Sequence, residues 1–475
     1  MFKSFTVFFL LLAVTVNAQQ KSKQPNIIFI LADDLGYADL GCYGQQKTET
    51  PHLDRMAQEG MRFTQFYSGS TVCAPARTSF MTGLHTGHTP IRGNRTFEPE
   101  GQTPLAEGFA TIANILQQHG YNTGAFGKWS LGFITTSGDP QKKGFDEFFG
   151  YNCQSLAHDY YPDHLWSNHQ RIDFEANKTA NVIYSADTIH AMALNFIKRQ
   201  NNRKPFFMYL PYTLPHGDVI LPHDSVYNYY IRKLNEAAIP FDRKKDSLAY
   251  EPHPHAAFAA MVSRLDRYTG EILKQLDKQG LLENTVVLFA SDNGPHKENG
   301  GDPEFFQNHG IYRGIKRDLY EGGIRVPFIA YWKKKIKPGV TDQWATIWDM
   351  YPTFQALARI NPGIEVDGES LLPTLLQKGI QPQPEYLYWE FHENNGRQAL
   401  RWKNWKLIKL KVNNAAETIT ELYDLDSDPS EKNNQAPAKP YLVNKLEAML
   451  KKAHTANKDW PLLPAEITIA KPAND

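Results

Sequence analysis

The chain has 475 residues, 41% of them hydrophobic, with 51 basic and 51 acidic side chains. That length suits one large domain with a smaller one. The balanced charge argues against nucleic acid or an anionic membrane as the main partner. Three cysteines, Cys42, Cys73 and Cys153, are too few to staple a chain of this size, and their odd number leaves at least one thiol unpaired or modified.

In chain order, Met1-Phe2-Lys3-Ser4 leads into an apolar run from Phe5 to Val16 and then Asn17-Ala18. A short charged start, an apolar stretch and a small-residue cleavage pattern predict a signal peptide over residues 1–18, hence a secreted or periplasmic protein. The run is too short to span a bilayer and no other segment reaches that length, so no membrane span is expected. Pro25 to Leu31 is a continuous apolar run of the kind buried on both faces of a sheet. Phe109 to Gln118 has helical spacing, with Gly120 as its stop. Tyr121 to Phe126 reads as a strand, and Ser185 to Arg199 as a helix with a serine N-cap. Pro205 to Leu210 is the next strand, Ala256 to Gln279 a long amphipathic helix, and Thr285 to Ala290 and Val326 to Trp332 two further strands. Alternating strands and helices imply an α/β fold, a mostly parallel sheet with helices on both faces, over residues 24–376. Beyond Gln381-Pro382-Gln383-Pro384 the stretches Tyr386–Phe391, Ala399–Leu410 and Thr418–Leu425 predict a small antiparallel sheet. With a last helix from Pro440 to Thr455 they form a C-terminal α+β subdomain over 377–475.

In such sheets ligands collect at the carboxyl ends of the strands. The expected strands deliver there Asp33 and Asp34, then Lys128 and Ser130, then His216, then Asp292 and Asn293. Asp33, Asp34, Asp292 and Asn293 form an all-oxygen set suited to a hard ion, Ca²⁺ before Mg²⁺. Two adjacent carboxylates repel without a cation. Either pair alone reads as a solvated turn; together, at two buried strand ends, they read as a metal site. Cys73 lies in a small-residue stretch that can open a helix at Pro75, with Arg77 one turn on, a setting that favours an anion.

The segment Cys73, Pro75, Arg77, Thr82, Gly83 resembles the sulfatase signature. The resemblance extends to Pro25–Gly36, Gly127-Lys128-Trp129, Leu288–Gly294, Gly314–Pro327 and Leu422–Pro429, essentially all of the mature chain, and is nearest in character to exported bacterial polysaccharide sulfatases. It implies an alkaline-phosphatase-like fold, calcium, and conversion of Cys73 to formylglycine by a formylglycine-installing enzyme. It also implies that Cys73 in this form is both metal ligand and nucleophile. Arg77, Lys128 and Lys316 are implied to neutralise the sulfuryl oxygens, and His216 to protonate the leaving oxygen. One position departs: the family's Gly-Lys-Trp-His-Leu-Gly reads Gly127-Lys128-Trp129-Ser130-Leu131-Gly132. The missing histidine is the family's base for expelling sulfate, so water, His158 or His296 must serve, or the step is slower; a small residue here can also make room for substrate. Ser130, His158, Asp302, His309 and Arg313 are the expected substrate contacts. The expected substrate is a sulfated carbohydrate, galactose or N-acetylgalactosamine 4-O-sulfate first and a 6-O-sulfated hexosamine next. The rival readings are a phosphatase, phosphodiesterase or phosphonate hydrolase on the same fold, and a non-catalytic glycan-binding relative.

Overall fold

The structure, a computed structural model, describes residues 24–98, 100–240, 250–298 and 300–470. The leader expected over residues 1–18 lies outside the described residues. A ten-stranded sheet runs through the molecule. In chain order its strands are β1 (Asn26–Ala32), β2 (Met61–Phe63), β3 (Asn122–Lys128), β4 (Glu147–Tyr151), β5 (His164–Ser167), β6 (Gln170–Asp173), β7 (Phe206–Pro211), β8 (Thr285–Ser291), β9 (Phe328–Tyr331) and β10 (Gly339–Thr341). Their spatial order is β10-β2-β9-β8-β1-β7-β3-β4-β5-β6. The five central strands, β8 to β4, are parallel. The strands flanking them, β9 and β5, run antiparallel to their inner neighbours.

The pattern of β1 explains its central place. Ile27, Phe29 and Leu31 enter one core and Ile28, Ile30 and Ala32 the other, so the period-2 alternation buries every side chain. Each large apolar side chain buried this way contributes roughly 1.5–3 kcal/mol. The first core is covered by α2 (Cys73–Thr82), α3 (Ile112–Gln118) and α6 (Met350–Ala358), through Phe80, Ile112 and Phe354. The second is covered by α1 (Pro51–Glu59), α4 (Ser185–Lys198) and α5 (Pro254–Lys278), through Met56, Ile189 and Leu265.

Four further strands, β11 (Leu387–Phe391), β12 (Arg397–Trp402), β13 (Trp405–Leu410) and β14 (Ile419–Asp424), form the antiparallel C-terminal sheet. Helix α7 (Pro440–Ala453) covers one face through Leu446 and Leu450. The other face, with Trp389, Phe391 and Ile408, joins the first core of the large sheet.

Three local expectations change. The N-cap of α4 is Tyr184, not Ser185, because the Ser185 hydroxyl is spent elsewhere: it donates to the Tyr160 carbonyl (3.0 Å) and accepts from the Tyr151 hydroxyl (2.6 Å). Helix α3 starts at Ile112 rather than Phe109, fixed by a capping box between Thr111 and Asn114. The run Ala399–Leu410 is two strands, folded back between Trp402 and Trp405 with Lys403 at φ +54°.

Candidate active site

Helix α2 begins at Cys73, two residues before Pro75, and every one of its residues is buried. The Ala74 N–H in its first turn donates to Asn94 Oδ1 (3.1 Å), and Gly83 in the left-handed region ends it. Phe80 stacks on Phe29 of β1 with ring centroids 4.4 Å apart, which seats the helix start over the ends of the parallel strands.

There the side chains converge. Cys73 Sγ lies 3.2 Å from Asp33 Oδ1. Lys128 Nζ, on the last residue of β3, lies 2.7 Å from Asp33 Oδ2. Arg77 donates to Asp292 Oδ2 through Nε (3.1 Å) and Nη2 (2.7 Å) and to the Lys128 carbonyl (2.7 Å). The backbone N–H of Asp34 donates to Asp292 Oδ1 (3.1 Å), which ties the end of β1 to that of β8. Asn293 Nδ2 donates to Asp34 Oδ1 (2.6 Å), while Asn293 Oδ1 is buried with no hydrogen-bond partner. Lys316 Nζ contacts Asp34 Oδ2 (2.8 Å), His216 Nε2 (3.2 Å) and Glu298 Oε2 (2.7 Å). His216 Nδ1 donates to the Gly217 carbonyl.

The electrostatics follow from burial and the two signs of charge. Burial opposes ionisation of Asp33, yet Lys128 and Arg77 hold it well below the ordinary carboxylate range. Lys316 does the same for buried Asp34. Asp292 loses that contest: burial and the neighbouring Asp33 push it up to about 7. Burial lowers His216 to about 3, so it stands neutral. Burial and the Asp33 carboxylate raise the Cys73 thiol, so the bare thiol is neutral and a poor nucleophile.

The residues fit a hard cation. Asp33, Asp34, Asp292 and Asn293 offer side-chain oxygens, Asn293 Oδ1 has no donor among the described residues, and Asp292 is pushed up by burial and by its acidic neighbour Asp33 even with Arg77 beside it.

The site thus brings together Asp33, Asp34, Cys73, Arg77, Lys128, His216, Asp292, Asn293 and Lys316. Ser130 is buried beside them at φ +63°, its hydroxyl donating to Gln154 Oε1 (3.0 Å). His158 is exposed, with its ring centroid 4.5 Å from that of His216. Of the other three expected contacts, two have side-chain partners of their own. Asp302 caps the short helix Pro303–Phe306 and pairs with His255 (3.0 Å). Arg313 donates to the Tyr423 hydroxyl and the Glu431 carbonyl and lies over the Tyr320 ring. His309 sits on the loop packed against the Gly36–Ala38 turn. Sequence reasoning missed Glu298, which joins Lys316 to Arg317 (2.5 Å to Arg317). The signal was faint: one carboxylate in the loop that follows Asp292 and Asn293.

Residues 25–360 match the Sulfatase family. The chain belongs to the sulfatase family. It is a sulfuric ester hydrolase with the alkaline-phosphatase-like fold, and residues 307–457 match the family described as N-sulphoglucosamine sulphohydrolase, C-terminal. An N-acetylgalactosamine-6-O-sulfatase of Bacteroides thetaiotaomicron is 30% identical over 92% of this sulfatase and 94% of its own length. The human N-acetylgalactosamine-6-sulfatase is 31% identical over 78% of this chain and 70% of its own. Among solved structures, Ps i-CgsB in complex with k-i-k-neocarrahexaose superposes with a TM-score of 0.75 at 26% identity, covering 91% of this chain and 93% of that one.

Proposed function

We propose that this sulfatase is exported and removes a sulfate ester from a carbohydrate, using Cys73 converted to formylglycine and calcium held by Asp33, Asp34, Asp292 and Asn293. The observation that carries the reading is the convergence of Cys73 with four oxygen ligands and three cations on one buried strand edge. The Cys73 thiol is held neutral, so the unmodified side chain is unsuited to attack; conversion to the hydrated aldehyde supplies a hydroxyl nucleophile. Bound calcium supplies positive charge for a sulfate oxygen and for that hydroxyl.

The chain's own groups do the rest. Arg77 and Lys128 carry fixed positive charge toward the sulfuryl oxygens at no reorganisation cost, since each is already held by a carboxylate or carbonyl. His216, in the Nδ1–H tautomer, presents Nε2 to Lys316 Nζ. The pair is placed to deliver a proton to the leaving oxygen, the charge starting on Lys316. Glu298 holds Lys316 from the other side.

For the sugar, relatives named N-acetylgalactosamine-6-sulfatases support a 6-O-sulfated galactose or N-acetylgalactosamine first, ahead of the 4-O-sulfate expected first from the sequence. The test is sulfate release from 4-O- and 6-O-sulfated galactose, N-acetylgalactosamine and N-acetylglucosamine and an aryl sulfate, with Cys73→Ala as control. Release from a 6-O member, abolished by Cys73→Ala, is the expected outcome. Release from a phosphate or phosphonate ester instead points to the same-fold alternative, and no release from any ester to the non-catalytic one.

A further inference from the structure

Sulfate monoester hydrolysis at neutral pH converts RO–SO₃⁻ and H₂O into ROH, SO₄²⁻ and H⁺. The site therefore needs a proton donor for the leaving oxygen and a second group that takes up the proton released with sulfate. That second group must carry a free lone pair, face the reacting atoms and pass its proton on to water.

Most titratable groups of the site fail one of these conditions. Lys128, Arg77 and Lys316 are cations locked to carboxylates. Both oxygens of Asp292 are taken, by Arg77 and by the Asp34 N–H, and Asp33, Asp34 and Asp292 face the cation seat. Glu298 is held by Lys316 and Arg317. His216 donates through Nδ1 and accepts from Lys316 at Nε2. His296 is fixed in the same way: Nε2 donates to the Pro215 carbonyl (3.1 Å), and Nδ1 accepts from the Glu298 N–H (3.1 Å). Ser130 gives its hydroxyl hydrogen to Gln154.

His158 has free ring nitrogens and access to water, and it reaches the site through its contact with the proton-donating His216. It is exposed, and among the described residues its ring nitrogens make no protein hydrogen bond. It lies against His216, and its turn is locked to that loop: the Tyr160 hydroxyl donates to the carbonyls of Thr213 (2.7 Å) and His216 (3.0 Å). We propose that His158 is the proton acceptor of this site, taking through a free ring nitrogen the proton that leaves with sulfate and returning it to solvent. The groups facing it are His216 beside β7, Lys128 at the end of β3, Asp33 after β1, and Lys316 and Glu298 from the loops beyond β8. Partial desolvation of the ring by its neighbours, then Lys128, lowers its pKa below the ordinary histidine value, so it is neutral and ready to accept at neutral pH.

The assignment rests on the sulfate-ester reading, and the test separates the two. His158→Gln is expected to lower kcat by about a hundredfold or more with KM little changed, to flatten the acidic limb of the pH–rate profile, and to recover rate when imidazole is added. Arginine or lysine variants elsewhere on the surface give no such rescue. A second readout needs no turnover: in ¹⁵N-histidine-labelled protein, the His158 ring, identified by its loss in His158→Gln, titrates as an open imidazole. The ring of His216 stays in a fixed tautomer. Full activity in His158→Gln, a loss confined to KM, or a loss that imidazole leaves in place overturns the assignment while leaving the sulfatase reading standing. A wild-type protein that releases sulfate from no ester overturns both.

Discussion

At the scale of single residues, the burden of the site falls on Asp292. Its folded pKa is raised to about 7 by burial and by Asp33, whereas an unfolded aspartate releases its proton near pH 4. Between those values the folded chain holds a proton that the unfolded chain lacks, so this group makes stability fall as pH rises. The proposed calcium ion would add positive charge and remove the effect. In chelator-treated protein, unfolding free energy measured by denaturant between about pH 5 and 7.5 is expected to fall with pH more steeply in wild type than in Asp292→Asn. Calcium at about a hundred times its Kd should add about 2.7 kcal/mol to wild type and less to the variant. Equal slopes and no calcium effect would mean that these oxygens do not seat a cation. Asp33, Asp34, Asp292 and Asn293 were legible in the sequence because each follows a strand whose apolar run can only be buried on both faces. Glu298 was not, because nothing in a loop's composition says which way its carboxylate turns.

The elements position the site through close backbone approach. Gly127 precedes Lys128, has φ +138°, and a Cβ there would lie 2.0 Å from the Pro211 carbonyl oxygen of β7. Gly150 on β4 presses on the Gly127 carbonyl in turn. The Gly-Lys pair is thus a steric device: only glycine lets β3 lie close enough between β7 and β4 to aim Lys128 at Asp33. Gly127→Ala is expected to cost about 3 kcal/mol or more, from overpacking and from strain at positive φ. It should also lower sulfate release, because Lys128 is displaced. Gly339→Ala, where a Cβ meets nothing within 4 Å, should change stability by less than about 0.5 kcal/mol; thermal unfolding of both variants compares them directly. Four of the five central strands, β1, β3, β7 and β8, were readable from their apolar runs to within a residue or two at each end; β4 (Glu147–Tyr151) was not read. Two features depended on what tertiary contacts ask of a side chain. Ser185 looks like a cap until Tyr151 and Tyr160 claim its hydroxyl. The turn at Lys403 carries no glycine at its positive-φ position to announce it.

At the scale of the molecule, composition suggests a boundary near residue 376, yet the C-terminal sheet shares its inner face with the main core and braces the catalytic loop. Arg397 on β12 donates to the Arg317 carbonyl and to Asp318 (2.6 Å each), directly beside Lys316. Lys406 on β13, fully buried, pairs with Glu321 and Glu431 at 2.9 Å each. Lys406 is the group that brings Glu321 down to about 2 against its burial, while burial pushes Glu431 up to about 7. The two carboxylates therefore respond differently to substitution. At pH 6 Glu431 is already largely protonated, so Glu431→Gln should cost less than about 1 kcal/mol. Lys406→Met leaves Glu321 charged and buried with only Arg325 paired to it and Arg401 near it, which is expected to cost roughly 3–5 kcal/mol. Because the two sheets share one core, calorimetry should show a single transition that moves down as a whole in Lys406→Met, with sulfate release lost in step. A separate C-terminal transition that shifts alone, with activity intact, would instead make that sheet an appendage, and Arg397 and Lys406 mere surface joinery. The buried triad argues against that outcome, since a charge cluster sealed from water on all sides cannot be opened by one lobe without unsealing the other.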